Sequence, residues 1–183
     1  DLLQHEAYAA PRRRIYLGGE RYLNNLNQAL GGGAQWILIQ GESGSGKSAL
    51  LANWIDQLSS ASHDHIIHTH FLGANPSAAD PVALVRRLIE RIRRETDTDE
   101  EPGSDPDTLL DALPERPARP SARAGLNNKR FLIVLDSLDG LAERRELRWC
   151  STLIPPRVTS VASTPPVEVR ESLHPKTPWR GIE

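Results

Sequence analysis

The chain has 183 residues, of which 38% are hydrophobic and 25% are charged, as is ordinary for a soluble globular protein of about one domain. Its net charge of −2 provides no bulk attraction to nucleic acid or to an anionic membrane. A single cysteine, Cys150, excludes an internal disulfide and favours a reducing, cytoplasmic location, and no apolar run approaches the ~18–20 residues needed to span a bilayer.

Residues 1–34 form the first predicted segment, which is largely helical. Asp1–Ala10 is predicted as a helix, and a short apolar run with a glycine pair follows at Ile15–Glu20. Arg21–Leu30 carries apolar residues along one face, which predicts a second helix. The three glycines Gly31–Gly33 end that helix before the core of the domain begins.

The predicted core, residues 35–164, opens with the pattern around which the chain is organised. Trp36–Gln40 is a short apolar, β-branched run, which is typical of a buried strand. The sequence GESGSGKS at Gly41–Ser48 fits GxxxxGK[ST], and Ala49–Leu58 has apolar residues at helical spacing. A strand, a glycine-rich loop and a helix in this order predict a phosphate-binding loop.

Each residue type in this loop has a chemical function in phosphate binding. Glycines permit backbone angles that a Cβ resists, so that N–H groups can surround phosphate oxygens at the positive end of the following helix. Lys47 is predicted to reach the β- and γ-phosphates and to act in catalysis, and the Ser48 hydroxyl to ligate Mg²⁺. The residues predicted to contact the nucleotide in this loop are Gly41, Glu42, Ser43, Gly44, Ser45, Gly46, Lys47, Ser48 and Ala49.

The next two elements are rich in basic and imidazole side chains. His65–Leu72 is predicted as a strand, and His68 and His70 on it would share one face. No cysteine or third ligand at a typical spacing accompanies them, so a partly exposed strand face is a better interpretation than a metal site. A helix is predicted from Asp80 to about Glu95, with apolar residues inward and arginines outward. The arginines form either a solvated face or a partner-binding face.

A second site element follows an acidic, proline-containing segment. Residues 96–128 are predicted to form a flexible loop inserted in the core. The apolar run after Lys129 ends in Asp136, which predicts a Walker B strand whose carboxylate holds Mg²⁺. Asp139 lies three residues on, where it is a candidate general base or a helix N-cap.

The last predicted strand of the core is Arg157–Ser163. Ligands in open α/β sheets bind outside the carboxyl ends of strands, so Ser163 or Thr164 is a candidate sensor of the γ-phosphate. Residues 165–183 contain four prolines and are predicted to be an irregular tail. Methionine is absent, including at position 1, and we expect the chain to be a piece of a longer protein that is truncated at its C-terminus.

With these motifs the chain resembles the NACHT/STAND group of P-loop ATPases, in particular the nephrocystin-3-like and telomerase-associated-protein-like members with C-terminal repeats. The resemblance covers about Asp1 to Thr164. The segments that carry it are RRRIYLGGERYL, GESGSGKSALLANWI, HFLGANPSAADPVALVRRL, FLIVLDSLDGL and LRWCSTLIPPRVTSVAST.

The resemblance implies an α/β P-loop NTPase fold, a mostly parallel sheet flanked by helices, with the sensor strand between the Walker A and Walker B strands. It implies ATP with Mg²⁺, a slow switch rather than a metabolic catalyst, protein partners outside this fragment and oligomerisation in the full-length protein. It places Tyr16, Leu17 and Gly18 near the adenine. Relatives often carry an acidic residue where this chain has Gly140, and Arg where it has Pro165.

Two other classes of function remain open. A non-catalytic module would bind ATP with Mg²⁺ and use it to hold one conformation for partner recruitment. A small-molecule kinase would need a lid and a substrate pocket, for which only the segment 96–125 is available. A GTPase is disfavoured, because Phe131 stands where guanine recognition after Lys129 would require Asp.

Overall fold

The computed structural model describes residues 2–13, 18–61, 64–96, 129–141, 157–166 and 179–182. The helices are α1 (Leu2–Arg13), α2 (Glu20–Gly31), α3 (Lys47–Ala61) and α4 (Pro81–Thr96). The strands are β1 (Trp36–Gln40), β2 (His65–Phe71), β3 (Arg130–Asp136), β4 (Val158–Thr164) and β5 (Trp179–Ile182). Short 3₁₀ turns lie at Leu72–Ala74, Pro76–Ala79 and Leu138–Gly140.

The strands form one five-stranded parallel sheet in the order β2-β3-β4-β1-β5. Parallel neighbours need crossover connections, and α3 and α4 supply helices for those that follow β1 and β2. The strand β4 lies between β1 and β3, so the expected position of the sensor strand is confirmed. The carboxyl ends of all three strands therefore meet at one edge, where ligands of open α/β sheets bind.

Helices cover both faces of this sheet, so its strands are apolar on both sides. On one face α4 buries Leu84 and Leu88 against residues such as Ile133 of β3. On the other face α2 and α3 bury residues such as Leu26 and Trp54 in one cluster with Val134. The predicted α/β fold, a parallel sheet flanked by helices, is confirmed.

The N-terminal helix α1 packs against α3 and the end of β2. Ala9, Ala52 and Phe71, one from each of these elements, are buried together. The helix continues past its predicted end at Ala10, through Pro11 to Arg13. The helix α1 is therefore joined to α3 and β2 by packing.

The structure differs from the prediction of an irregular tail at residues 165–183, because Trp179–Ile182 forms β5. This strand pairs in parallel with β1, with Leu38 opposite Gly181. Four residues that include a glycine and an arginine carry no local strand pattern, and the partner strand decides the conformation. The predicted loop beyond Thr96 falls outside the described residues. Among the described helices, none is long and apolar enough to cross a bilayer.

Candidate nucleotide-binding site

The predicted phosphate loop connects β1 to the amino end of α3. Gly44 and Gly46 have φ angles of 81° and 94°, which lie in the left-handed region that favours glycine. The first helical hydrogen bond runs from the Leu50 N–H to the Gly46 carbonyl at 2.8 Å. The N–H groups of Lys47, Ser48 and Ala49 precede that bond and have no partner within the helix, so they are available to an anion.

The Lys47 ammonium lies across this loop. Its Nζ donates to the Gly41 carbonyl at 2.5 Å and to the Glu42 carbonyl at 2.8 Å. An ammonium has three N–H donors, so one remains for a phosphate oxygen. The predicted contact of Lys47 with phosphate therefore needs only a small movement of a side chain that is already at the loop. Residues 42–46 are exposed, as a loop that receives a ligand must be.

Asp136, at the end of β3, is fully buried. Its Oδ1 accepts a hydrogen bond of 2.6 Å from the Ser163 hydroxyl, which accepts one of 2.8 Å from the Ser137 N–H. Ser137 has a positive φ of 62°, and this turn of the chain directs its N–H back to the end of β4. The other carboxylate oxygen, Oδ2, is buried without a partner.

Thr164 ends β4 and is also fully buried, and its Oγ1 has no partner. Its carbonyl accepts a hydrogen bond of 3.3 Å from the Gly41 N–H, which ties β4 to the first residue of the phosphate loop. Neighbouring strands are ~4.8 Å apart. The unpartnered oxygens of Asp136 and Thr164 thus belong to adjacent strand ends at the same edge of the sheet.

This donor set fits a hydrated Mg²⁺. Mg²⁺ is usually bound by one or two carboxylates, water and substrate phosphates rather than by an all-protein cage. Asp136 contributes a buried carboxylate oxygen in need of a partner, and Ser48 lies half-buried in the first turn of α3. In the part of the chain that the structure describes, no cluster of three or more His, Cys, Asp or Glu side chains is placed to hold a metal.

Asp139, the candidate general base, is exposed in the 3₁₀ turn after β3. The adjacent Gly140 lies against Leu72, which follows β2 on the side of β3 away from β4 and β1. Its role as a base stays a prediction.

On the predicted adenine side, Gly18 has a positive φ of 78° and precedes the first turn of α2. Tyr16 and Leu17 lie outside the described residues. The sequence had indicated Ser163 as an alternative sensor; the structure adds the contact by which it holds Asp136. Ser137 was not singled out at all. The contacts of Ser163 with Asp136 and with the Ser137 N–H depend on the pairing of β3 with β4, which no local sequence pattern reveals.

Comparison with known proteins agrees with this geometry. The chain is 28% identical over 165 residues to nephrocystin-3 of Xenopus laevis, covering 87% of this chain and 12% of that protein. It is 29% identical over 151 residues to nephrocystin-3 of Homo sapiens, covering 80% and 11%. A TPR repeat-containing protein of Dictyostelium discoideum is 27% identical over 164 residues, covering 70% and 10%. The chain thus spans only a small part of the length of these relatives.

Solved structures support the fold at lower identity. A structure of Drosophila ORC bound to AT-rich DNA and Cdc6 is similar over 99% of this chain and 58% of that chain, with a TM-score of 0.60 and 13% identity. A structure of Drosophila ORC bound to DNA is similar over 97% and 91%, with a TM-score of 0.58 and 13% identity. The family model of the AAA ATPase domain matches residues 18–152, which is more than half of the chain. The chain therefore belongs to the AAA ATPase domain family and is a P-loop nucleotide-binding module.

Proposed function

We propose that this domain binds ATP with Mg²⁺ and hydrolyses it slowly, as the nucleotide switch of a larger STAND-type signalling or scaffold protein. The observation that carries the proposal is a pair of buried oxygens, Asp136 Oδ2 and Thr164 Oγ1, that have no partner among the described residues and lie at the sheet edge beside the loop that holds Lys47. A buried polar atom without a partner costs about 1–3 kcal/mol. Such atoms call for an explanation, and a ligand that completes them is the simplest one here.

Each of these residues has a distinct part in nucleotide binding. Lys47 and the N–H groups that open α3 bind the phosphates, and Lys47 stabilises the charge that develops on them. Ser48 and Asp136 hold Mg²⁺, which supplies charge neutralisation at the β- and γ-phosphates. The Thr164 hydroxyl donates a hydrogen bond to a γ-phosphate oxygen. Because ADP has no γ-phosphate, this contact distinguishes ATP from ADP. The adenine lies beside Tyr16, Leu17 and Gly18, as the resemblance implies.

Hydrolysis depends on activation of a water molecule, and Asp139 is the candidate base. Asp139 is exposed and the adjacent Gly140 lies against Leu72, so the proposal includes a conformational change that brings Asp139 to the γ-phosphate. We expect this change to limit the rate of turnover. The same observation favours a second candidate function, a module that binds ATP with Mg²⁺ to hold one conformation without hydrolysing it. A small-molecule kinase is a weaker candidate, because its lid would have to come from residues beyond Thr96.

The proposed role as a nucleotide switch is based on the similarity of this chain to the much longer relatives described above. The chain covers 10 to 12% of the first relatives' length, and one of them is named for its TPR repeats. We infer that protein partners and oligomerisation engage regions outside this domain, in the cytoplasm. A net charge of −2 gives no support for a nucleic-acid or membrane partner.

A nucleotide panel tests the proposal. ATP and GTP, each with and without Mg²⁺, are scored for binding and for phosphate release with the wild type, Lys47→Ala and Asp139→Asn. Lys129→Ala, at the opposite end of β3, is the matched control. We expect binding of ATP with Mg²⁺ to be lost only in Lys47→Ala.

Phosphate release separates the two candidate functions. Under the hydrolysis proposal, Asp139→Asn retains ATP binding and loses release. Binding without release in the wild type would establish the non-catalytic function. Full affinity in Lys47→Ala would refute both.

A further inference from the structure

An open groove runs between β2, at the edge of the sheet, and helix α4, and its cavity volume is about 630 Å³. His68 of β2 forms part of one wall. Four arginines of α4 line the groove at helical spacing, Arg86, Arg87, Arg91 and Arg94. Cavities of ~300–1,000 Å³ are the size that small-molecule sites occupy.

Two nitrogen atoms in this groove are buried without a partner, His68 Nε2 and Arg91 Nε. They come from different elements, one from β2 and one from α4, so packing of both elements brings them to one place. An arginine Nε–H can only donate. The His68 Nε2 has no acceptor among the described residues to which it could donate. The groove therefore offers hydrogen-bond donors for which the described residues supply no acceptor.

The charged side chains that line the groove also favour an anionic ligand. Among the described residues, the carboxylates beside these four arginines are Asp80 and Glu90, which line the groove, and Glu95, which pairs with Arg91. Glu90 already accepts from Arg93 at 3.3 Å and from Arg94 at 3.4 Å. Like charges one helical turn apart, as at Arg87 and Arg91, repel each other.

The histidines beside these arginines cannot offset that charge. Burial first, and then His70 and Arg91, lower the pKa of His68 to about 3, so its ring is neutral near pH 7. Arg87 contacts two further rings, with His5 Nε2 at 3.0 Å and His70 Nδ1 at 3.4 Å. Neutral imidazole supplies no negative charge, so these histidines do not offset the charge of the arginines that line the groove.

We propose that the groove between β2 and α4 is a second ligand site, which binds the phosphate group of a small organic phosphate. Three terminal oxygens and a double negative charge match the donors of His68 and Arg91 and the exposed guanidinium of Arg86 better than a single carboxylate does. The groove is larger than a bare phosphate requires. Val82 and Ala83 in its lining provide an apolar surface for the organic part.

Access to the two buried nitrogens requires Arg91 to move. The guanidinium of Arg91 is held by a 2.9 Å ion pair with Glu95, four residues along the helix. Partly exposed pairs of this spacing are weak. A phosphate oxygen can therefore replace this pair at little cost and reach the Arg91 Nε–H and the His68 ring together.

The groove is separate from the nucleotide site. In the sheet register, His68 lies level with Ile133, Ser160 and Trp36 across β3, β4 and β1. Trp36 begins β1, whereas the phosphate loop begins after the end of that strand. At ~4.8 Å between strands, three strand spacings separate the groove from β1 by about 14 Å. The groove therefore shares no lining residue with the phosphate loop.

The test uses the Lys47→Ala variant, in which the phosphate loop is disabled, and follows the His68 ring signals by NMR during titration with phenyl phosphate. Benzoate is titrated as the carboxylate counterpart. Arg91→Gln and the exposed Arg86→Gln remove predicted donors. Arg21→Gln is the matched control, because Arg21 is an exposed arginine of α2, on the other face of the sheet, and does not line the groove.

We expect a saturable shift of the His68 signals, about tenfold or more weaker binding in Arg91→Gln and Arg86→Gln, and unchanged binding in Arg21→Gln. Arg86→Gln changes only an exposed side chain, so its result stands even if Arg91→Gln does not fold. Absence of a saturable shift, or equal weakening by Arg21→Gln, would overturn the site. Benzoate binding as tight as phenyl phosphate would overturn the assignment to phosphate. Because ATP binding is removed in this background, neither outcome depends on the proposed nucleotide function.

Discussion

Replacement of Ser163 by alanine tests the contact that holds Asp136. The Ser163 hydroxyl donates to Asp136 Oδ1 at 2.6 Å and accepts from the Ser137 N–H at 2.8 Å, and both Asp136 and Ser163 are fully buried. A hydrogen bond to a charged group contributes about 1.5–3 kcal/mol, and an unsatisfied buried N–H costs about 1–3 kcal/mol. We therefore expect the free energy of unfolding to fall by about 3 kcal/mol, since the two effects partly overlap.

The assay is urea unfolding, with ATP affinity measured in parallel at several Mg²⁺ concentrations. Without Ser163, both carboxylate oxygens of Asp136 lack a donor and the side chain is no longer fixed in one orientation. We expect the Mg²⁺ dependence of ATP binding to shift to higher Mg²⁺ concentration. Ser160→Ala is the matched control, because Ser160 is a buried serine of the same strand with no side-chain hydrogen bond to the described residues.

The two variants separate a specific contact from the loss of any buried hydroxyl. If Ser163→Ala costs no more stability than Ser160→Ala, the hydrogen-bond network is not what holds Asp136. A stability loss with an unchanged Mg²⁺ dependence would show that Ser163 supports the fold and not the metal site.

Three further results are expected. Thr164→Val removes a buried hydroxyl without a partner, so the free energy of unfolding should rise by about 1 kcal/mol while the preference for ATP over ADP falls; a destabilised variant would contradict this. Gly46→Ala places a side chain on a residue with a φ of 94°, where alanine is strained. The free energy of unfolding, measured with urea, should fall by about 1–3 kcal/mol, and ATP binding should be lost. Wild-type stability and binding would show that position 46 tolerates a side chain. Burial is the main reason that the pKa values of His5 and His70 are lowered to about 4 and that of His68 to about 3. Below pH ~6.5, the pKa of histidine in the unfolded chain, the unfolded chain binds more protons than the folded one. The contribution of these histidines to the free energy of unfolding is therefore fully present above pH ~6.5 and should be lost as the pH drops towards 4. His70→Gln should reduce this dependence of the free energy of unfolding on pH, and an unchanged dependence would show that His70 does not contribute.

Much of the site could be predicted because its signals are local. The glycines of Gly41–Ser48 permit backbone angles that other residues resist. The run before the loop is short, apolar and β-branched, and the segment after it has apolar residues at helical spacing. Asp136 ends an apolar run, and this run predicts a Walker B strand because a phosphate loop precedes it in the chain. These features depend on residues within a few positions of one another, so the chain alone carries them.

Other elements were decided by contacts between distant segments. β5 forms because the edge of β1 supplies hydrogen bonds to a four-residue segment that lacks a strand pattern. The histidines of β2, expected on a partly exposed face, are partly enclosed, and His70 is 1% exposed, because α1 and α4 pack over that edge. Burial of this kind depends on which helices cover a strand, and the strand's own sequence does not encode it.

The sequence by itself determined the phosphate loop, the strand ending in Asp136 and the α/β class, because spacing and residue type suffice for each. The tertiary structure decided that Ser163 holds one oxygen of Asp136 while the other oxygen and the Thr164 hydroxyl remain without partners. It also decided that four arginines of α4 line a groove with the half-buried His68 of β2. Both arrangements join residues far apart in the chain, and only the order of the strands and the packing of the helices bring them together.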